Sequence, residues 1–212
     1  VASLGVVGLA QAANVTVVHG VPGLAVDVYV NGELTLENFE FETVTDPLDL
    51  PAGTYDIAIR AAGDPADADP ALSGSATVEE DTNASIVAHL DESGSPALTV
   101  FVNDTSTVEA GNARLTVRHT AAAPAVDVLA NDSALFTNLA NPDEQSADVP
   151  AGTTIVRAGT PNPGIGFLYD GHATVRGPDG YSVVERIEPG GSFGETGAFL
   201  GTSQTHTVVA ED

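Results

Sequence analysis

The sequence predicts an all-β protein, with two tandem immunoglobulin-like antiparallel β-sandwich domains behind an apolar N-terminal extension. Three observations predict it. Short β-branched runs alternate with polar residues or form brief apolar stretches, and no ten-residue segment carries an amphipathic helical pattern. Turn residues break these runs at regular spacing, as they do in sandwiches with Greek-key connections. Finally, the chain repeats itself at an interval of one hundred residues: NVTVVHGVPGLAVDVYVNG at Asn14 to Gly32 returns as RLTVRHTAAAPAVDVLAND at Arg114 to Asp132. A repeat of that length is a duplicated domain.

In chain order, the first element is Val1 to Ala12, VASLGVVGLAQA, which is uncharged and rich in small apolar residues. It ends in Ala10-Gln11-Ala12, the small-x-small form of a signal-peptidase site, and the first residue is Val1 rather than Met, so processing or truncation upstream is expected. Twelve residues are too few to span a bilayer as a helix. Held in one conformation, such a segment must bury surface to offset its ordering entropy. Strands follow at Val15 to Val18, Val26 to Val30, Tyr55 to Ile59, Ala84 to Leu90 and Leu98 to Val102, with Asn31-Gly32 as a tight hairpin turn and Pro51-Ala52-Gly53 as a reversal. The junction falls near Glu109-Ala110-Gly111, giving an extension of 1–12, a first repeat of 13–110 and a second of 111–212. The second copy has strands at Leu115 to Val117, Val126 to Leu129, Thr154 to Arg157, Ala173 to Val175, Tyr181 to Ile187 and Thr205 to Val209. The register persists: Pro51-Ala52-Gly53-Thr54 recurs at Pro150 to Thr153, Gly74 to Val78 at Gly171 to Val175, and Ser85-Ile86-Val87 at Ser182-Val183-Val184. With few aromatics, the cores rest on Val, Ile, Leu and Ala.

Thirty acidic residues stand against six basic ones, all Arg, for a formal charge of -24. Such a field repels nucleic acid and anionic membrane surfaces, so neither is an expected partner. A Lys-free acidic surface suits a halophile, in which concentrated salt screens the repulsion, ahead of an ordinary acidic secreted protein. Without Cys there is neither a disulfide framework nor a thiolate metal site.

The strand ending in His19, the short turn after it, Ala25 to Gly32 (AVDVYVNG) and then Pro51 to Tyr55 (PAGTY) together resemble the family catalogued as domain of unknown function 4397. The link from Glu109 to His119 looks like that family's junction between paired copies. The resemblance covers roughly Asn14 to Asp212, while Pro161 to Asp170 and Pro189 to Gly201 depart from it. It implies a secreted or surface-attached protein without an assigned activity, and it offers no catalytic residues to carry over.

His19 and His119 are each followed eight residues later by a carboxylate, Asp27 or Asp127. A His–carboxylate pair can orient a ligand or a metal, or simply pin two strands by a hydrogen bond, and the last is favoured because no third ligand or nucleophile recurs beside it. Ser93 and Ser192 sit in Gly-rich loops without a nucleophile-elbow context, and His89, His172 and His206 fall on predicted strands without metal-ligand spacing. The cluster Asp64, Asp67 and Asp69 lacks the Gly turn and distal Glu of a calcium loop. No catalytic residue, cofactor or metal is expected. Four N-x-Ser/Thr sequons, at Asn14, Asn83, Asn103 and Asn131, are glycan acceptor candidates, with Asn131 the most accessible at its hairpin turn.

The expected function is an extracellular, non-enzymatic structural protein that assembles head to tail into a filament. Its N-terminal segment acts as the donor strand, through Val1, Leu4, Val6, Val7 and Leu9. The alternative is a monomeric surface adhesin or carbohydrate-binding pair displaying a loop such as Pro161 to Tyr169.

Overall fold

The computed structural model describes residues 12–160, 166–168, 171–188, 191–193 and 203–211. The described residues contain strands and turns and no helix, so the chain is all-β. They form two compact units, one reaching to His89 and taking in Pro96–Thr105, the other made of Leu90–Ser95 and the chain from Ser106 onward.

The first unit holds eight strands: β1 Ala13–His19, β2 Val26–Val30, β3 Glu33–Phe39, β4 Leu48–Leu50, β5 Gly53–Ala61, β6 Leu72–Val78, β7 Asn83–Leu90 and β8 Pro96–Val102. They make two four-stranded sheets, ordered β4-β1-β7-β8 and β3-β2-β5-β6. Alternation decides which side chains meet between them. Ala13 and Val15 from β1 and Ala84, Ile86 and Ala88 from β7 pack against Val26, Val28, Ile57, Ile59, Ala76 and Val78 of the other sheet, forming a single core. The first unit thus has the layered architecture of a β-sandwich.

Antiparallel pairing is expected throughout, and one pair departs from it: β1 runs parallel to β7, from Asn14↔Asn83 to His19↔Ala88. A parallel neighbour needs a long crossover, and here the whole of the second sheet is threaded between the two strands. Strands β3, β4 and β6 escape periodicity because charged or small residues occupy their outer positions. The Asn31-Gly32 hairpin is as expected, with φ of 51° and 84°, the two positive values that a type I′ turn demands. Tyr55 of the PAGTY sequence donates its phenol to the Pro51 carbonyl at 2.6 Å, tying the start of β5 to its own turn.

The second unit opens with the same plan. β9 Asn112–Arg118 pairs antiparallel with β12 Glu144–Pro150 over seven residues, and β10 Val126–Ala130 forms a hairpin with β11 Ser133–Leu139. Then it diverges. β13 Thr154–Val156, β15 Ala173–Arg176, β16 Val183–Ile187 and β18 Thr207–Ala210 form a sheet ordered β13-β18-β15-β16, while β14 Gly166–Phe167 pairs with β17 Ser192–Phe193. Ala173, Ile187, Phe193 and Val208 build its core.

The aligned triplets Ser85-Ile86-Val87 and Ser182-Val183-Val184 therefore play different parts. Ile86 and Val87 are buried in β7 beside β1, whereas Val183 and Val184 are 60% and 59% exposed and β16 pairs with β15. Local likeness in three residues does not carry the pairing partner with it.

Candidate functional site

The repeated histidines and aspartates do not bond to one another, which corrects the expected strand-pinning pair. His19 sits at the end of β1, 2% exposed, with its Nε2 2.9 Å from the Leu24 carbonyl and its Nδ1 3.4 Å from the Val21 amide. A carbonyl only accepts, so Nε2 carries the proton, Nδ1 accepts from Val21, and the ring is neutral. Phe39 stacks on it at 5.9 Å and Phe41 meets it edge-on. Burial pushes its pKa below 6.5, against the opposing bond to Leu24. Asp27, on β2, accepts from the Asn38 amide at 2.8 Å and the Gly63 amide at 3.0 Å, and these bonds hold its carboxyl below 3.8. His19 thus ties down the turn that follows β1, and Asp27 ties the irregular end of β3 to the turn after β5. The second unit repeats the device, with His119 Nε2 2.9 Å from the Pro124 carbonyl and Asp127 accepting from Asn138 at 2.9 Å. All four side chains have hydrogen-bond partners of their own, each tying its residue to nearby backbone.

Three of the four sequon asparagines are engaged with each other. Asn103 donates to Asn83 at 2.6 Å, and Asn83 donates to Asn14 at 3.2 Å, a side-chain ladder across β1, β7 and the end of β8. Asn131 is exposed at its hairpin, where its Oδ1 accepts from the Thr154 amide at 2.9 Å. Asp64, Asp67 and Asp69 are all exposed, and among the described residues no three His or carboxylate groups converge as a metal site. Their loop is held instead by Arg60, which donates to the Ala68 carbonyl at 2.8 Å and lies over the Tyr29 ring. His89 is on β7, bonded to Thr99, while His172 and His206 lie just outside β15 and β18 rather than on them. His172 faces Glu188 at 3.1 Å. Ser93 belongs to a turn capped by Asp91, and Ser192 lies on β17. The proposed donor residues Val1, Leu4, Val6, Val7 and Leu9 lie outside the described residues, as does most of Pro161 to Tyr169.

Two features that sequence reasoning missed have the right chemistry for a docking site. In the first unit, a cavity of about 280 Å³ opens into the space between the sheets, lined by Val17, Val30, Leu36, Leu48, Leu50 and Tyr55 among others. Strands β3 and β4, each an edge strand of its sheet, contribute to its walls.

The other is in the second unit. β1 has neighbours on both sides, whereas β9 has β12 on one side and no described strand on the other. Likewise β2 pairs with both β3 and β5, but β10 pairs with β11 alone among the described strands. Ala13 and Val15 are fully buried, while their counterparts Ala113 and Leu115 are only partly buried, as are Val126 and Val128 where Val26 and Val28 are buried. An open ladder edge beside a half-covered apolar face is a template for another strand.

No helix among the described residues is long and apolar enough to cross a membrane. Residues 147–212 match the family described as cyclic nucleotide-binding domain. Of the arginines in that stretch, Arg157 pairs with Asp132 and Arg186 with Glu211, and Arg176 keeps its Nε buried without a hydrogen-bond partner. No curated protein matches the chain. Residues 13–129, more than half of its length, match the family described as domain of unknown function (DUF4397), and the chain belongs to that family.

Proposed function

We propose that the protein is an extracellular, non-enzymatic structural subunit that assembles head to tail into a filament, built from two tandem immunoglobulin-like copies of the domain. In this reading, repeat one spans 13–110, repeat two spans 111–212, and residues 1–12 are the strand donated to the next subunit. The observation that supports it is that β9 has no described strand on its second side and an inner face only partly buried, which an added strand would pair and cover. Because donor and acceptor are different surfaces, the contact does not close on itself and propagates as a fibre. The -24 charge supports an exported, halophilic setting, in which salt screens repulsion between packed subunits.

The test is negative-stain electron microscopy of the full chain beside a chain truncated before Ala13, both in concentrated salt. Filaments that vanish on truncation support the reading. Dispersed particles in both samples sink it.

A second reading, a binding module, draws support from the first unit's cavity, whose lining favours a small apolar ligand over the sugar of the adhesin alternative. A cyclic nucleotide is disfavoured by the acidic field around its phosphate and by the acidic partners already held by Arg157 and Arg186. Calorimetric titration with cyclic AMP checks that point, with no heat of binding expected.

A further inference from the structure

We propose that the first unit's cavity holds a small aliphatic molecule ending in a neutral hydroxyl, its chain between the two sheets and its hydroxyl at Asn31 and Glu33. The proposal rests on the binding-module reading and names the ligand class of that same cavity.

The cavity follows from how the two sheets close on each other. At one side a small residue lets them meet: Gly74 of β6 lies against β8, where a Cβ would stand 3.5 Å from the Leu98 side chain. The opposite side is formed by β3 and β4. β3 is irregular, with shifts in its pairing to β2 between Val26 and Val28 and again between Val28 and Tyr29, and its Asn38 takes a φ of 50°. β4 is three residues long and pairs only with the start of β1, from Ala13↔Leu50 to Val15↔Leu48. Neither edge supplies enough regular backbone to close over the core, and a cavity of about 280 Å³ lies between the sheets. Protein interiors pack to near-crystal density, with few voids larger than a water. A space this large forfeits contacts all round its wall, so filling it is a source of binding free energy.

The wall sets the guest's body. Val28, Ile57, Ile59, Ile86 and Ala88 line the cavity and are buried. His19 lines it as well, but both its ring nitrogens are committed to backbone, Nε2 to Leu24 and Nδ1 to Val21, so the ring offers surface rather than a hydrogen bond. An apolar cavity of about 150 Å³ admits benzene, so the volume here suits a guest of about ten non-hydrogen atoms. The mouth sets its end. Of the lining residues, Asn31, Glu33 and Thr35 are the exposed ones, all on the β2–β3 hairpin. Asn31 accepts from the Asp56 amide through Oδ1 at 2.9 Å, which leaves its side-chain N–H groups as donors, while the Glu33 carboxylate only accepts. A hydroxyl both accepts and donates, so it answers the two together. An anionic end would meet Glu33 with like charge, and no arginine stands among the described lining residues to offset it.

The test is titration of the full chain with n-octanol and with octanoate, at neutral pH and one fixed salt concentration, read by calorimetry and by the ligand-induced rise in Tm. Octanol is expected to bind at a single site, and octanoate to bind about tenfold more weakly. Glu33→Gln, a change at the surface, should narrow that ratio by raising the affinity for octanoate while leaving octanol unchanged. Two plugs locate the site. Ala88→Leu fills the cavity from β7 and Leu36→Trp fills it from the half-buried edge, and each should abolish octanol binding while the ligand-free Tm stays at or above the parent's. Should one plug fail to fold, the other carries the comparison. Octanol binding that survives a folded plug overturns the site. Octanoate binding as tightly as octanol overturns the hydroxyl assignment and leaves the binding-module reading standing. Neither heat nor a Tm rise from either ligand overturns both.

Discussion

Asp27 holds two backbone amides with one carboxylate, one from the irregular end of β3 and one from the turn after β5, and at 5% exposure it does so away from water. Asn in its place keeps the shape but turns one acceptor oxygen into a donor, leaving an amide unpaired. Asp27→Asn is therefore expected to cost about 2 kcal/mol, read by urea unfolding. Asp127→Asn should cost less than half as much, because Asp127 is exposed. Acid tests the same residues. His19 and Asp27 both have lowered pKa values when folded, so in each window the unfolded chain binds more protons and stability rises with pH. His19's contribution is complete above pH 6.5 and is lost as pH falls through its lowered folded value. Asp27's is complete above pH 3.8 and is lost in the same sense below it. A His19→Gln variant, compared with the parent protein by urea unfolding between about pH 7.5 and 5, should show the shallower decline. Equal slopes would reject the neutral, Nε2-protonated ring.

At the scale of the element, Gly166 on β14 is packed under Phe193 of β17. A Cβ there would lie 2.1 Å from the ring, so Gly166→Ala must push Phe193 out of the core. A loss of about 1–3 kcal/mol is expected by thermal or urea unfolding. Phe193→Leu should be partly compensated by the alanine, a coupling that a double-mutant cycle would read. The sequence exposed elements with strong alternation, such as β1, β2 and β7, and the Asn31-Gly32 hairpin, because local chemistry dictates them. It hid β3, whose Glu33 and Glu37 mask a strand with only Leu36 and Phe39 turned inward. It also hid the partners of Asp27, since Asn38 comes from an irregular, positive-φ position near the end of β3 and Gly63 from the turn after β5, and only the assembled sheet brings both near. That no described strand covers the second side of β9 was illegible for a different reason: pairing is a property of two segments, and the repeat alignment supplied β16 as a partner that the fold uses elsewhere.

For the whole molecule, charge dominates. Four arginines are paired with acids, Arg114 with Asp148, Arg118 with Glu144, Arg157 with Asp132 and Arg186 with Glu211, and six arginines cannot neutralise thirty carboxylates. Such partly exposed pairs contribute ~0–1 kcal/mol each. Screening length grows from ~3 Å at 1 M salt to ~30 Å at 0.01 M, so dilution switches the repulsion on. The Tm should fall by roughly 10 °C across that range, corresponding to about 2 kcal/mol; a Tm independent of salt would reject the halophilic reading. The parallel placement of β1 against β7 also has a consequence in time. Asn14 meets Asn83 across 69 positions, so on a ribosome working at about 5–20 residues per second the first strand waits roughly 3–14 s for its partner. β9 reaches β12 across 30 positions, in less than half that wait. Synthesis arrested before residue 83 would leave a nascent chain whose first strand is still looking for a mate, the form most prone to clumping.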